Sequence, residues 1–240
     1  MSKIGVVTGA SNGIGQGIAS RLDQDGWRVF NLDRSKPKNK GNPARWIDTD
    51  LTNPAAIATA FELIRYEGPV TGLVNNAGLG IMTKLENSTI EDFDVTVDVN
   101  MKAPMLCTQA VLGDMKEVGF GRIVNISSRA MLGKTHRTAY AGTKGAISAM
   151  TRVWALELAH HGITVNAIAP GPIATELFTK ANPPNMPRTQ EIIGTIPTGR
   201  LGTPADIAHS VSFFMDERTD FINGQVLFVC GGISLARGGS

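Results

Sequence analysis

Lys3-Ile4-Gly5-Val6-Val7-Thr8-Gly9-Ala10-Ser11-Asn12-Gly13-Ile14-Gly15 is the stretch on which the reading of this chain turns. The first six residues are mostly apolar and read as a short buried strand. The later residues of the stretch lead into a helical pattern that ends near Gly26. Glycines between the two let the backbone turn tightly and approach a pyrophosphate, which the first helix N-terminus can stabilise. A glycine-rich turn alone is only a turn. Between a strand and a helix it points to a dinucleotide, and makes Gly9, Ser11, Asn12, Gly13, Ile14 and Gly15 candidate cofactor contacts.

Further along, apolar strand-like runs alternate with helical patterns. Strands are expected at Val6–Thr8, Arg28–Leu32, Arg45–Asp48, Gly72–Asn75, Arg122–Ile126, Thr164–Ile168 and Val226–Val229. Helices are expected at Gly13–Asp25, Pro54–Glu67, Asn100–Val118, Ala139–His161 and Pro204–Met215. This alternation implies an α/β fold: a doubly wound parallel sheet of about seven strands, covered by helices on both faces. Ligands would then sit beyond the carboxyl ends of the strands. The 240 residues carry no internal repeat, low-complexity tract or linker, so one domain, 1–240, is expected.

Tyr140 and Lys144 lie four residues apart in Tyr140-Ala141-Gly142-Thr143-Lys144, one above the other on a helix. A free phenol, with a pKa of about 10, exchanges protons poorly at neutral pH. A cation held beside it favours the phenolate and moves the pKa toward the working range. The spacing is common on surface helices, so it gains meaning only beside the glycine turn.

The second strand ends Asn31-Leu32-Asp33-Arg34. A carboxylate there can accept hydrogen bonds from the adenosine ribose and would repel a 2′-phosphate, whereas Arg34 could pair with that phosphate. Lys36, Lys38 and Lys40 form the one basic cluster, beside prolines and a glycine, and read as a solvated loop that could edge the adenosine end of the cofactor site. A formal net charge of +2 with interspersed signs gives no reason to invoke nucleic acid.

Cys107 and Cys230 make no disulfide framework, no Cys/His cluster has zinc-ligand spacing, and both read as small packing residues. Without a charged leader and apolar signal core at its start, and with no apolar run of membrane-spanning length, the chain is expected to be soluble and cytoplasmic. Residues 175–200 are interrupted by Pro183, Pro184, Pro187, Gly194, Pro197 and Gly199, with Phe178, Met186 and Ile192 as scattered apolar groups. This is long for an inert connection, so a substrate lid is expected there.

Together, the Thr-Gly-x-x-x-Gly-x-Gly turn, Asn75-Asn76-Ala77-Gly78, Asn100, Ser128, Tyr140, Lys144, Pro170-Gly171-Pro172-Ile173-Ala174-Thr175 and Gly224-Gln225 resemble the short-chain dehydrogenase/reductase family over nearly the whole chain, with likeness to its 3-oxoacyl-carrier-protein reductases. The resemblance implies an oxidoreductase interconverting a ketone or aldehyde with its alcohol, with Tyr140 as general acid and base. Lys144 would lower the Tyr140 pKa and bond the nicotinamide ribose, and Asn100, opening a helix, would support a water relay to the lysine. The resemblance also puts Asp50 and Leu51 beside the adenine, and Asn76, Ala77 and Gly78 along the middle of the cofactor. Pro170 and Gly171 would frame the nicotinamide, with Ile173 and Thr175 holding its carboxamide. Asp50 could instead cap a helix, and Pro170-Gly171-Pro172 could simply form a turn.

In the resembled family, aspartate at the Asp33 position usually decides for NAD. Asn12 also stands where many NADP-preferring members carry arginine, so NAD is expected over NADP. The rivals are a 3-oxoacyl thioester reductase using NADPH and a dinucleotide-sensing regulator without turnover. The family usually forms tetramers through helices equivalent to Asn100–Val118 and Ala139–His161, so a homotetramer acting on a small carbonyl or alcohol is implied.

Two serines compete for the place that holds the substrate oxygen. Counted from Gly121-Arg122, Ser128 matches the family position; counted back from Tyr140, the commoner spacing selects Ser127. Strand residues alternate faces, so the two cannot share a role. A one-residue deletion in the Arg129–Ala139 loop disrupts less than a slip in a buried strand, which favours Ser128. Lys134, His136 and Arg137 could attract a carboxylate or phosphate, but exposure on a polar loop accounts for them. Cys230 stands where many relatives carry aspartate before Gly231-Gly232, which bears on local packing or assembly.

Overall fold

The structure is a computed structural model that describes residues 3–39 and 41–236; Lys40 of the basic cluster lies outside them. Strands β1 (Lys3–Thr8), β2 (Trp27–Asp33), β3 (Arg45–Asp48), β4 (Val70–Asn75), β5 (Gly121–Ile126), β6 (Ile163–Pro170) and β7 (Val226–Val229) form one sheet. Their order is β3-β2-β1-β4-β5-β6-β7 and every pairing is parallel. Each expected strand is present in a single Rossmann-like domain. The winding reverses between β1 and β4, which opens a crevice at their carboxyl ends. Register brings Thr8 beside Leu32 and Asn75 beside Asn125, so the turns after β1, β2, β4 and β5 share one edge.

Helices α1 (Gly13–Gln24), α2 (Pro54–Arg65), α3 (Ile90–Val97), α4 (Ala103–Val118), α5 (Thr138–Leu158), α6 (Glu176–Ala181), α7 (Pro187–Gly194) and α8 (Pro204–Met215) complete the chain. Their stops and starts follow local chemistry. Asn53 accepts from the Ala55 and Ala56 amides with Pro54 at the first turn of α2, and Thr203 with Asp206 forms a capping box on α8. Buried Ile57, Ala60, Phe61 and Ile64 of α2 recur at helical spacing. They pack with Cys107, Val111 and Met115 of α4 against Ile4, Leu32, Leu73 and Ile123 on one face of the sheet. Ile18 and Leu22 of α1 and Ile207, Val211 and Phe214 of α8 cover Val7, Val29, Val74 and Val124 on the other. Each of the valine, leucine, isoleucine, phenylalanine and methionine side chains among them contributes about 1.5–3 kcal/mol by burial.

One expected helix is divided. Asn100 does not open it: α3 leads into a five-residue π-helical turn, Asp98–Lys102, and α4 begins only at Ala103. Ile90 and Phe93 of α3 are 69% and 44% exposed, so its apolar residues do not mark a buried face in the sequence. A second surprise is Arg122, fully buried in β5. Its guanidinium donates to the Gly121, Asp216 and Glu217 carbonyls and lies 4.3 Å over the Phe120 ring, tying the end of α8 to the sheet. No helix among the described residues is long and apolar enough to cross a membrane.

Candidate active site

The turn after β1 is fixed from three sides. Ala10 donates to Asn31 Oδ1 at 2.8 Å, Asn76 Nδ2 donates to the Thr8 and Gly9 carbonyls at 2.9 and 3.1 Å, and Thr8 Oγ1 accepts from the Asn76 and Ala77 amides at 3.0 Å. A Cβ on Gly15 would collide with the Gly9 carbonyl and the Asn76 amide, so the close approach requires glycine. Asn12 is the N-cap of α1 yet makes no side-chain cap bond, and Gly13 takes a φ of +55°. The positive end of α1 therefore meets the crevice without a protein acceptor from its cap, which fits a pyrophosphate.

At the end of β2, Asp33 is integrated into this turn. Its Oδ2 accepts from the Ser11 amide at 3.2 Å and its Oδ1 from the Ser35 amide at 2.9 Å, while Asn31 Nδ2 donates to Ser11 Oγ at 2.9 Å. Arg34 is exposed and its charge acts on Asp50. The Asp50 carboxyl lies below its ordinary value because it accepts from the Thr52 amide and hydroxyl, with Arg34 adding to the effect. Asp50 caps no helix, since Asn53 fills that role for α2. Leu51 packs against the core beside it.

Tyr140 and Lys144 stand one turn apart on α5, with the ammonium 5.8 Å from the centre of the phenol ring. Lys144 is buried and donates to the Ile126 carbonyl at 2.7 Å, at the end of β5. Burial brings its pKa down to about 8. Asn100 is buried in its π-turn, donates to the Leu79 carbonyl at 2.9 Å and to Thr143 Oγ1 at 3.0 Å, and accepts from the Leu79 amide at 2.8 Å. It thus clamps the loop after β4 to α5. Gly78 lies between the two: a Cβ there would fall 3.4 Å from Lys144 Nζ and 3.6 Å from Asn100 Oδ1. π-turns concentrate at functional sites because they re-aim a residue out of the regular ladder.

The adjacent serines diverge as alternation of faces requires. Ser127 is buried, donates to the Lys144 carbonyl at 2.8 Å and shares a hydrogen bond with Ser148 Oγ at 2.8 Å, so its hydroxyl is consumed in holding α5 to β5. Ser128 is only partly buried, accepts from the Ala130 amide at 3.1 Å, and its hydroxyl acts to lower the Tyr140 phenol's pKa. The expected effect of Lys144 on Tyr140 is not what the structure has. Burial raises the phenol above its ordinary value; the Ser128 hydroxyl and the Arg137 guanidinium pull it down, and neither reverses the burial. The ammonium is turned to the Ile126 carbonyl instead, and burial alone lowers its own pKa.

After β6, the Gly171 amide donates to the Val229 carbonyl at 3.0 Å, and Ile173 is buried beside Gly202. Thr175 packs over Gly13 and caps α6, accepting from the Phe178 amide at 3.2 Å. Residues 175–200 hold α6 and α7, so the segment is more ordered than its prolines suggest. The geometry therefore gathers the turn after β1, Asp33, Asn76 to Gly78, Ser128, Tyr140, Lys144 and the Pro170–Thr175 run along one sheet edge. Asp50 and Leu51 lie farther out, after β3.

Comparison with known proteins decides the family. A family model described as enoyl-(acyl carrier protein) reductase matches residues 9–234. The chain belongs to the short-chain dehydrogenase/reductase family. It is 38% identical over 247 residues to (2S)-[(R)-hydroxy(phenyl)methyl]succinyl-CoA dehydrogenase subunit BbsD of Thauera aromatica, covering 99% of this chain and 98% of the relative. It is 34% identical to 3-oxoacyl-[acyl-carrier-protein] reductase FabG of Rickettsia prowazekii (strain Madrid E), covering 96% of each. Among solved structures, a blue fluorescent protein from a metagenomic library in complex with NADPH superposes with a TM-score of 0.86 at 35% identity, over 96% of this chain and 97% of that one. As a short-chain dehydrogenase/reductase, the chain is an NAD(P)-dependent oxidoreductase acting between hydroxyl and carbonyl groups.

The sequence reading of this short-chain dehydrogenase/reductase gave no structural role to several residues that build the site. Asn75 donates to Asn125 Oδ1 at 2.8 Å, and Asn125 donates to Thr151 Oγ1 at 2.9 Å, linking β4, β5 and α5 through the core. Asparagine is depleted in strands, so Asn31, Asn75 and Asn125 inside apolar runs were the available signal. Arg137 is not a freely exposed loop residue. It is partly buried and its guanidinium lies 5.4 Å over the Tyr140 ring. His136, by contrast, is exposed, with a left-handed φ of 61°.

Proposed function

We propose that this protein is an NAD(H)-dependent oxidoreductase that interconverts a ketone or aldehyde with its alcohol, Tyr140 being the general acid and base. The observation carrying this reading is the pairing of Tyr140 with Lys144, whose ammonium lies 5.8 Å from the phenol ring and beside Gly78, with Ser128 acting on the same phenol, next to a glycine turn that fits a pyrophosphate. When bound, the nicotinamide supplies hydride to the carbonyl carbon or takes it from the alcohol carbon. In reduction, Tyr140 gives its phenolic proton to the carbonyl oxygen; in oxidation, its phenolate takes the alcohol proton. Ser128 holds that oxygen and stabilises its developing charge. A raised phenol pKa keeps the proton on Tyr140 at neutral pH, which suits the reductive direction.

Gly9, Ser11, Asn12, Gly13, Ile14 and Gly15 would hold the pyrophosphate, and Asn76, Ala77 and Gly78 the middle of the cofactor. Asp50 and Leu51 would flank the adenine. Pro170, Gly171, Ile173 and Thr175 would frame the nicotinamide, which requires Thr175 to share its side chain with the α6 cap. Lys144 spends one of its three donors on Ile126, leaving two for ribose hydroxyls. Asn100 acts by positioning, since its side chain already joins Leu79 to Thr143. Asp33 carries the choice of NAD(H) in this chain, although the solved relative holds NADPH. A fixed carboxylate at the end of β2 favours ribose hydroxyls and opposes a 2′-phosphate.

Residues 175–200 serve as the lid over the substrate. Exposed Met105, Val153 and Leu156 on α4 and α5 support a homotetramer through those helices, and the free thiols Cys107 and Cys230 suit a reducing cytoplasm. The second reading, a 3-oxoacyl thioester reductase using NADPH, is favoured by thioester or acyl-carrier substrates in the names of the two relatives. The experiment is a carbonyl panel, including acetoacetyl thioesters, run with NADH and with NADPH and followed by nicotinamide absorbance. Faster NADH consumption with simple ketones supports the main reading; thioester reduction with NADPH supports the second. Tight NADH binding with no consumption on any carbonyl would instead indicate a dinucleotide sensor.

A further inference from the structure

Arg137, Tyr140 and Lys144 form one stripe at the start of α5, at spacings of three and four residues. The phenol ring therefore has a cation on each side along the helix: the Arg137 guanidinium lies 5.4 Å from its centre and the Lys144 ammonium 5.8 Å. The two cations are held differently. Lys144 donates to the Ile126 carbonyl at 2.7 Å, and burial brings its pKa down to about 8. The Arg137 guanidinium keeps its charge at every working pH and takes part in no ion pair among the described residues.

What fixes Arg137 is its backbone. The His136 carbonyl accepts from the Thr83 amide at 3.2 Å and the Arg137 carbonyl from the Ala141 amide at 2.7 Å, which pins the residue between α5 and the loop after β4. That loop also supplies Gly80, on which a Cβ would fall 3.2 Å from Arg137 Nη1 and 3.3 Å from the Tyr140 ring. Asn100 holds the preceding residue, Leu79, by both its amide and its carbonyl. Guanidinium and ring thus lie together over one bare, anchored stretch of backbone.

This neighbour matters because burial opposes ionisation of the phenol, while proton transfer to a carbonyl leaves a phenolate in the same place. A cation within about 4–6 Å favours the charged form, and a planar guanidinium stacks on an aromatic face as an ammonium does not. Ser128 acts on the phenol from the end of β5, with Arg137 and Lys144 on α5. Elements packed against α5 bring further charges: Asp92 of α3 at a small cavity with Thr138 and Ala139, Arg129 of the turn after Ser128, and Asp98 with Lys102 of the π-turn. Asp98 and Lys102 neutralise each other at 2.7 Å.

We propose that Arg137 is a positioning residue of the reaction, holding the Tyr140 ring over Gly80 and stabilising the phenolate left when the phenol gives its proton to the carbonyl oxygen. In oxidation the same guanidinium favours the phenolate that takes the alcohol proton. Lys144 adds its share only while protonated. The use made of the phenolate rests on the proposed oxidoreductase function; the effect of Arg137 on Tyr140 does not.

The chain holds two tyrosines, and Tyr66 is 89% exposed. NMR titration of the full chain, isotope-labelled at the tyrosine Cζ, follows each phenol separately, and Tyr66→Phe assigns the signal of Tyr140. Arg137→Gln removes the charge and keeps a polar side chain. It should move the Tyr140 titration up by about one pH unit, a phenolate fraction about tenfold smaller at a given pH. Arg137→Lys, which keeps the charge, should recover most of that shift. Circular dichroism at each pH confines the comparison to folded protein. An unchanged or lowered titration in Arg137→Gln would overturn the proposal. The same shift in both variants would also overturn it, because lost packing would then be the cause. In carbonyl reduction Arg137→Gln should lower kcat about tenfold with KM unchanged; a rise in KM alone would make Arg137 a substrate-binding group and overturn the proposal. A shifted titration in a chain that turns over no carbonyl would overturn the oxidoreductase reading and leave the effect of Arg137 on the phenol standing. Turnover that depends on Tyr140, with the titration unmoved, would overturn this inference alone.

Discussion

Thr8, Asn31, Asp33 and Asn76, at the cofactor end of the site, each form hydrogen bonds within the chain, whereas Arg137, over the Tyr140 ring, forms no ion pair among the described residues. The cofactor end is finished in advance: its turn is held from β2 and β4, and only the helix N-terminus is left without a side-chain acceptor. Beside Tyr140, the Arg137 guanidinium is left without an acidic partner among the described residues. A preformed cofactor site reduces the ordering that binding must impose. A cation left unpaired beside the phenol remains available to the phenolate.

The contrast breaks most visibly at the paired serines. Ser128→Ala should lower kcat by about 10²–10³-fold with NADH affinity unchanged, measured by steady-state rates and fluorescence titration. Ser127→Ala should leave kcat near wild type and reduce stability by about 1–2 kcal/mol in urea unfolding, because its hydroxyl holds α5 to β5. The opposite pattern would exchange the two roles.

The next test uses pH. Lys144 titrates at about 8, so its charge is complete below that pH and is lost as pH rises through it, while Tyr140, raised by burial, keeps its proton. The reductive rate should therefore be level below about pH 8 and fall by about tenfold per unit above it. A profile level to pH 10 would remove the lysine charge from the mechanism. The smallest effect is expected at the finished end. Asp33→Asn should shift the preference between NADH and NADPH by about tenfold toward NADPH, read by fluorescence titration. An unchanged ratio would mean that Arg34 sets the choice.

The sequence reading found the seven strands because parallel strands buried on both faces are continuous apolar runs, and it found the glycine turn because close backbone approach admits no other residue there. It placed Tyr140 and Lys144 on one helix face by spacing alone. It could not find α3, whose Ile90 and Phe93 point outward, or the π-turn that carries Asn100, since neither has a periodic signature. The direction of the Tyr140 shift was also out of reach. That depends on where the Lys144 ammonium is aimed and on how dry the phenol is, and spacing encodes neither.

The central claim, that Tyr140 exchanges the proton in carbonyl reduction, is tested most directly with Tyr140→Phe, measuring turnover and NADH affinity on the same preparation. The account predicts a loss of about 10²–10⁴-fold in turnover with NADH affinity unchanged. Turnover equal to wild type in a folded, NADH-binding variant would contradict it.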